Sequence, residues 1–146
     1  MAYWRLHYHL VWATYKREPF IDAACEKVIY GTLYGKAKEL GLIIHGAGNI
    51  EDHVHVVVSI PPKLSIADCV RHFKGASSRA VTRTLQSETE FKWQEGYGAI
   101  SLGERSLPTV IAYANNQKQH HRDGTVISIF ERMAEEDDGP LPQQLA

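Results

Sequence analysis

Two histidines flank a valine at His53-Val54-His55, inside a run from Asp52 to Ile60 that is otherwise rich in valine. Such a run reads as a buried strand, and strand side chains alternate faces, so the two imidazoles project the same way. Two convergent imidazoles begin a metal site that needs one or two more ligands from elsewhere. Far along the chain, Tyr113 and Gln117 fall at i,i+4 in a stretch with helical character, where side chains at that spacing share a face. A phenol and an amide on one helix face, beside two strand histidines, suit a tyrosine nucleophile next to a divalent cation. Each pair alone leaves other chemistry open. An HxH pair also suits zinc hydrolases and double-stranded β-helix dioxygenases. His7 and His9 form a second such pair, and His120 and His121, one turn past Gln117, compete for the third ligand position. Taken singly, Tyr113 reads as an amphipathic side chain at a helix–sheet boundary, and Gln117 as a solvated glutamine.

The elements that must position these groups follow from hydropathy and punctuation. Residues 3–14, aromatic and β-branched, read as a strand broken by Lys16-Arg17-Glu18-Pro19. Asp22 caps a helix over residues 22–40 that ends at Gly41, although Gly31 and Gly35 are poor helix formers. A strand over 42–50, with Gly46 and Gly48 suggesting a bulge, turns through Glu51-Asp52 into the His53 strand as an antiparallel hairpin. Pro61-Pro62 ends the sheet, and Ser65 with Asp68 starts a helix running to about residue 85. Its apolar face carries Ile66, Cys69, Val70, Phe73 and Val81; its other side carries Arg71, Lys74, Arg79 and Arg83. A polar loop over 86–90 leads to a fourth strand at 97–102. Ser106 then caps the Tyr113 helix, Gly124 closes the element, and residues 126–136 are expected to form a last short helix. The order β-α-β-β-α-β is the ferredoxin-like split βαβ pattern, RRM-like: an α+β antiparallel sheet with helices on one face, followed by a C-terminal helix bearing Tyr113. We therefore expect one domain over residues 1–124 and a short, acidic, partly mobile tail over 125–146.

Composition fits that outline. The 146 residues suit one domain, and 44% hydrophobic with 23% charged residues is ordinary for a globular protein. No apolar run approaches a membrane span and no signal-peptide pattern opens the chain, which fits a cytoplasmic protein with no membrane partner. Cys25 and Cys69 lack a CxxC partner and read as small buried filler. The formal net charge of −1 is misleading, because residues 131–138 concentrate five acids against one base. The remaining chain holds 12 acidic and 15 basic side chains, a mild surplus that permits a phosphate-binding face.

The order of these elements and motifs resembles the small HUH-type tyrosine transposases of insertion sequences, the IS200-like family. The resemblance runs from about residue 5 to residue 122. It takes in the opening strand and basic turn (7–19), the HUH triplet itself, the following helix (70–79), an aromatic-glycine strand (93–101) and the helix from Tyr113 to His121. The resemblance implies Tyr113 as nucleophile and His53, His55 and Gln117 as metal ligands. It implies a single-stranded DNA substrate with imperfect hairpins. It also implies a homodimer, in which the tyrosine helix can be exchanged between partners across a hinge at Gly103-Glu104-Arg105. The tail after Arg122 departs from the family, being short and acidic where a longer, less charged helical end is expected.

The implied chemistry suits these residues. A tyrosine that attacks a phosphodiester conserves its bond energy in a 5′-phosphotyrosine link, but a free phenol, with pKa near 10, is a weak nucleophile. A cation held by neutral imidazoles and an amide keeps its full charge for the phosphate, and carbonyl with imidazole ligation suits Mg²⁺ or Mn²⁺ better than zinc. Arg5, Lys16 and Arg17, with Trp4, Tyr8 and Trp12 for stacking, and the basic side of the 65–85 helix (Arg71, Lys74, Arg79, Arg83) are the expected DNA contacts. That helix follows the HUH strand directly and is expected to flank the scissile phosphate. Two other readings are an inactive or domesticated single-strand-binding relative, and a small-molecule metalloenzyme using His53, His55 and His120 or His121.

Overall fold

In the computed structural model, which describes residues 1–86 and 90–142, strand β3 (His53–Ser59) is buried along its whole length. It pairs antiparallel with β2 (Ile43–Ile50) on one side and β1 (His7–Ala13) on the other, and β1 pairs with β4 (Gly98–Leu102), giving the order β2-β3-β1-β4. This is the α+β ferredoxin-like sheet expected from the element order. The β2–β3 register shifts between Ile44 and Gly46, the irregularity that the glycines foreshadow.

The alternation along β1 and β3 divides the molecule into layers. Leu10, Trp12, Val54, Val56 and Val58 face one side, where α1 (Ala23–Leu40) and α2 (Ile66–Leu85) cover them with Ile29, Leu33, Cys69 and Phe73. Burying a side chain such as Phe73 contributes on the order of 2 kcal/mol. Helix α1 tolerates Gly31 and Gly35 because Cys25, Ile29, Leu33 and Ala37 supply a continuous buried stripe. Its ends are fixed: Asp22 accepts from the Cys25 N–H, and Gly41 closes it in the left-handed region. Ser65 caps α2 by accepting from the Asp68 N–H.

The opposite face carries His9, His53 and His55, beside a smaller cluster of Val57, Leu102, Val110 and Ala114. Helix α3 (Leu107–Asn115) packs here against β2 and β3, and α4 (Gln117–Asp123) continues it after a break at Asn116. Tyr113 and Gln117 thus belong to two short helices and not to one.

Several expectations are corrected. The first strand begins at His7, not at residue 3, because its partner positions end at Ser59 and Leu102. Ser106 already has helical backbone angles, so its hydroxyl bonds the Gly103 carbonyl and caps nothing. Residues 126–136 are not a helix: one 3₁₀ turn (Ser128–Phe130) is followed by a bridge from Ala134 to Tyr97. Trp12 lies in the core against Phe73 and Trp93, out of reach of a nucleic acid base. Part of the 86–90 loop and of the tail expected to be mobile, residues 87–89 and 143–146, lies outside the described residues. Among the described residues no helix is long and apolar enough to cross a membrane.

Candidate active site

His53 and His55 project from β3 with ring centroids 5.0 Å apart, and each ring is oriented from behind. Nδ1 of His53 lies 2.6 Å from Oδ1 of Asp52, and Nδ1 of His55 lies 2.8 Å from Nε2 of His9. Outer partners of this kind fix the tautomer of a metal-binding histidine and leave the other nitrogen free to ligate. Both Nε2 atoms consequently turn toward α3 and α4.

Those helices come close because β2 lacks side chains where they cross. A Cβ on Gly48 would sit 1.7 Å from the Ala114 carbonyl oxygen, so only glycine admits α3 at this distance. Tyr113, on the next residue back, sets its ring edge-on to His55 with centroids 5.8 Å apart. Gln117 is buried; its Nε2 donates to the Tyr113 carbonyl at 3.0 Å, and its Oε1 lies 3.2 Å from Nε2 of His121.

A carboxylate from beyond the helices fills the centre. Oε1 of Glu131 lies 3.0 Å from Nε2 of both His53 and His121, and Oε2 lies 3.0 Å from Nε2 of His55. The Tyr113 hydroxyl donates to Glu131 Oε2 at 2.8 Å and accepts from the Ile127 N–H at 2.9 Å. Ligand atoms of His53, His55, His121 and Glu131 all lie within 4.8 Å of one another.

This donor set fits a divalent cation. Nε2 of His55 is fully buried and has no hydrogen-bond partner among the described residues, the state of a nitrogen whose lone pair is reserved for a metal. Burial holds the His55 imidazole below its ordinary range, and burial together with neighbouring His55 takes His9 down to about 3, so both rings are neutral at pH 7. Burial opposes ionisation of Glu131, yet the adjoining His53 and His55 hold its carboxyl well below the usual range. Burial raises the Tyr113 phenol, which stays protonated at neutral pH and needs activation to act as a nucleophile.

The four residues singled out for the site, His53, His55, Tyr113 and Gln117, are thus brought together, and His121 joins them, whereas His120 bonds Thr125 through Nδ1 at 2.8 Å. The basic residues are scattered. Arg17 is beside the site, with Nη1 3.4 Å from Nδ1 of His53, and both Lys16 and Arg17 have left-handed backbone angles. Arg5 stacks on Tyr3 and faces Glu104, which also bonds Nε2 of His7 at 2.8 Å and so ties down the Gly103–Arg105 connection. Helix α2 lies across the sheet from the imidazoles, so Arg71, Lys74, Arg79 and Arg83 do not flank them: chain adjacency to β3 does not survive the strand's alternation. Lys74 in particular is half-buried, donating to the carbonyls of Gln94 and Gly96. Sequence reasoning missed Glu131, hidden as the first member of an acidic run, and the role of His9, whose HxH spacing was visible but whose partner across the sheet was not.

Comparison with known proteins finds relatives of this fold. The family model described as "Transposase IS200 like" matches residues 2–117. The transposase for insertion sequence element IS200 of Salmonella typhimurium is 28% identical over 134 residues, covering 86% of each chain. The ISDra2 transposase TnpA of Deinococcus radiodurans is 25% identical over 122 residues, covering 78% of this chain and 85% of that one. Among solved structures, a putative transposase from Deinococcus radiodurans superposes with a TM-score of 0.64 at 23% identity, covering 86% of this chain and 95% of that one. A REP-associated tyrosine transposase bound to a REP hairpin superposes with a TM-score of 0.61 at 11% identity, covering 86% and 76%. At these identities the superpositions show the shared fold.

Proposed function

The chain belongs to the IS200-like transposase family, enzymes that cut and rejoin DNA, and from that premise we propose that it acts on single-stranded DNA through Tyr113 with a divalent cation held at His53 and His55. The observation that carries this reading is the convergence of the Tyr113 hydroxyl and the Nε2 atoms of His53 and His55 on one point, where Glu131 touches all three.

In the reaction we infer, the Tyr113 oxygen attacks the scissile phosphorus, losing its proton as the new bond forms. The bond from phosphorus to the 3′ oxygen breaks, and that oxygen takes up a proton, leaving a 5′-phosphotyrosine and a free 3′-hydroxyl. The reverse attack by another 3′-hydroxyl rejoins the strand. His53 and His55, with Gln117 and His121 at the same centre, would hold the cation, which when bound polarises a phosphate oxygen and offsets the charge that builds up in the transition state. Mg²⁺ and Mn²⁺ both suit imidazole and carbonyl donors. Outer hydrogen bonds from Asp52 and His9 keep the two imidazoles in place throughout.

Arg17 beside His53 supports a phosphate position at the site. So does a cleft of about 370 Å³ beside Gln117, lined among others by Asn115, Asn116, Lys118 and Arg122. Each site cuts one strand, and mobilising both ends of an element takes two cuts, so we read the active species as a homodimer. The structural neighbour bound to a REP hairpin supports a hairpin-bearing strand as the ligand. The test is cleavage of a single-stranded oligonucleotide carrying an imperfect hairpin, set beside the same sequence annealed to its full complement. Cleavage of the single strand alone is expected; equal cleavage of the duplex would overturn the reading.

A further inference from the structure

Glu131 lies beyond the residues that match the family model, yet the Nε2 atoms of His53, His55 and His121 and the Tyr113 hydroxyl all converge on it. We propose that Glu131 is a ligand of the cation in the DNA-free protein, completing a set of three imidazoles and one carboxylate with His53, His55 and His121, and that the scissile phosphate displaces it. This rests on the metal-dependent reading above and adds to it a ligand, a resting state and a metal preference.

The distances suit a shared ion. Metal bonds of about 2.1 Å set near right angles place neighbouring donor atoms about 3 Å apart. Glu131 oxygens lie 3.0 Å from Nε2 of His53, His55 and His121 alike. At His53 and His121 the contact is a hydrogen bond, whereas the buried Nε2 of His55 has no hydrogen-bond partner among the described residues and keeps its lone pair for an ion.

The segment around Glu131 is built to deliver it. A Cβ on Gly98 would meet the Arg132 carbonyl oxygen at 1.9 Å, so the bare strand position lets the strap lie against β4. Ala134 bridges Tyr97 through hydrogen bonds in both directions. Phe130 packs on His9 and Tyr113, with centroids 4.6 and 5.6 Å apart. These contacts hold the carboxylate over the imidazoles while the Ile127 N–H and Glu131 itself occupy the Tyr113 hydroxyl. A phosphate oxygen seeking both the cation and Tyr113 needs the position that Glu131 fills. Three imidazoles shift the donor set from Mg²⁺ toward Mn²⁺ or Zn²⁺, for which nitrogen donors are favoured.

Titration of DNA-free protein with Mn²⁺, followed by calorimetry and by the electron paramagnetic resonance of the free ion, tests this on wild type, Glu131→Gln and Glu131→Ala. Circular dichroism confirms that the variants are folded. Wild type is expected to bind one Mn²⁺ more tightly than Mg²⁺, and both variants to bind it at least about tenfold more weakly. Repeated in complex with an uncleaved hairpin strand on a Tyr113→Phe background, the difference should shrink, because phosphate has taken the ligand's place. Equal or tighter binding by the variants overturns the proposal alone: Glu131 is then an occupant that the metal must evict. A difference that persists undiminished with DNA overturns displacement. No binding by DNA-free wild type overturns the proposal alone, and no binding in the hairpin complex either overturns the metal reading beneath it as well.

Discussion

Nε2 of His9 lies 2.8 Å from Nδ1 of His55, and both rings are fully buried. Only one proton can occupy that contact. With His55 as donor, its Nε2 is left bare toward the centre of the site, so His9 selects the tautomer that binds metal.

His9→Phe should therefore weaken Mn²⁺ binding by roughly 10- to 100-fold, the usual cost of losing an outer partner. His9→Gln, which can still accept from His55, should recover part of the loss. The measurement is metal titration alongside a thermal melt. A His9→Phe protein with wild-type affinity would show that the contact only packs.

Gly48 makes a second such prediction. Gly48→Ala forces a methyl into the Ala114 carbonyl, so α3 must shift and carry Tyr113 with it. Overpacking of this kind costs about 1–3 kcal/mol. Activity should fall further than stability, because a displacement of about 1 Å at a reacting group can cost on the order of 100-fold in rate. Melting temperature and single-turnover cleavage, measured together, separate the two effects.

His53→Ala and His55→Ala should each abolish metal-dependent cleavage with little change in fold, since neither belongs to the main core. Gln117→Ala should be milder, because His121 lies beside it and water can take the place of an amide oxygen. Cleavage at increasing Mn²⁺ concentration checks this: rescue of the Gln117 variant by excess metal, and no rescue of the histidine variants, is expected.

Much of this was legible beforehand, for identifiable reasons. Period-two alternation around His53 and His55 revealed which residues share a face, and caps at Asp22, Gly41 and Ser65 placed the helices to within a residue. Local signals stop there. That α2 covers the far side of the sheet follows from the same alternation applied to Val54, Val56 and Val58, yet adjacency in the chain suggested otherwise. Gly48 reads in sequence as a weak strand residue, and its use is visible only once Ala114 lies against it. Glu131 was masked by its neighbours: a run of acids in a tail looks solvated, and nothing local shows that Phe130 and the Ala134 bridge turn one of them inward.

Cleavage and rejoining both depend on Tyr113 as the nucleophile. Wild-type protein and Tyr113→Phe should be incubated with Mn²⁺ and a single-stranded hairpin oligonucleotide, denatured, digested and analysed by mass spectrometry. A wild-type peptide containing Tyr113 that carries a 5′-phosphorylated DNA fragment is expected, and no adduct from the variant. An adduct on any other residue, or one that persists in Tyr113→Phe, would contradict it.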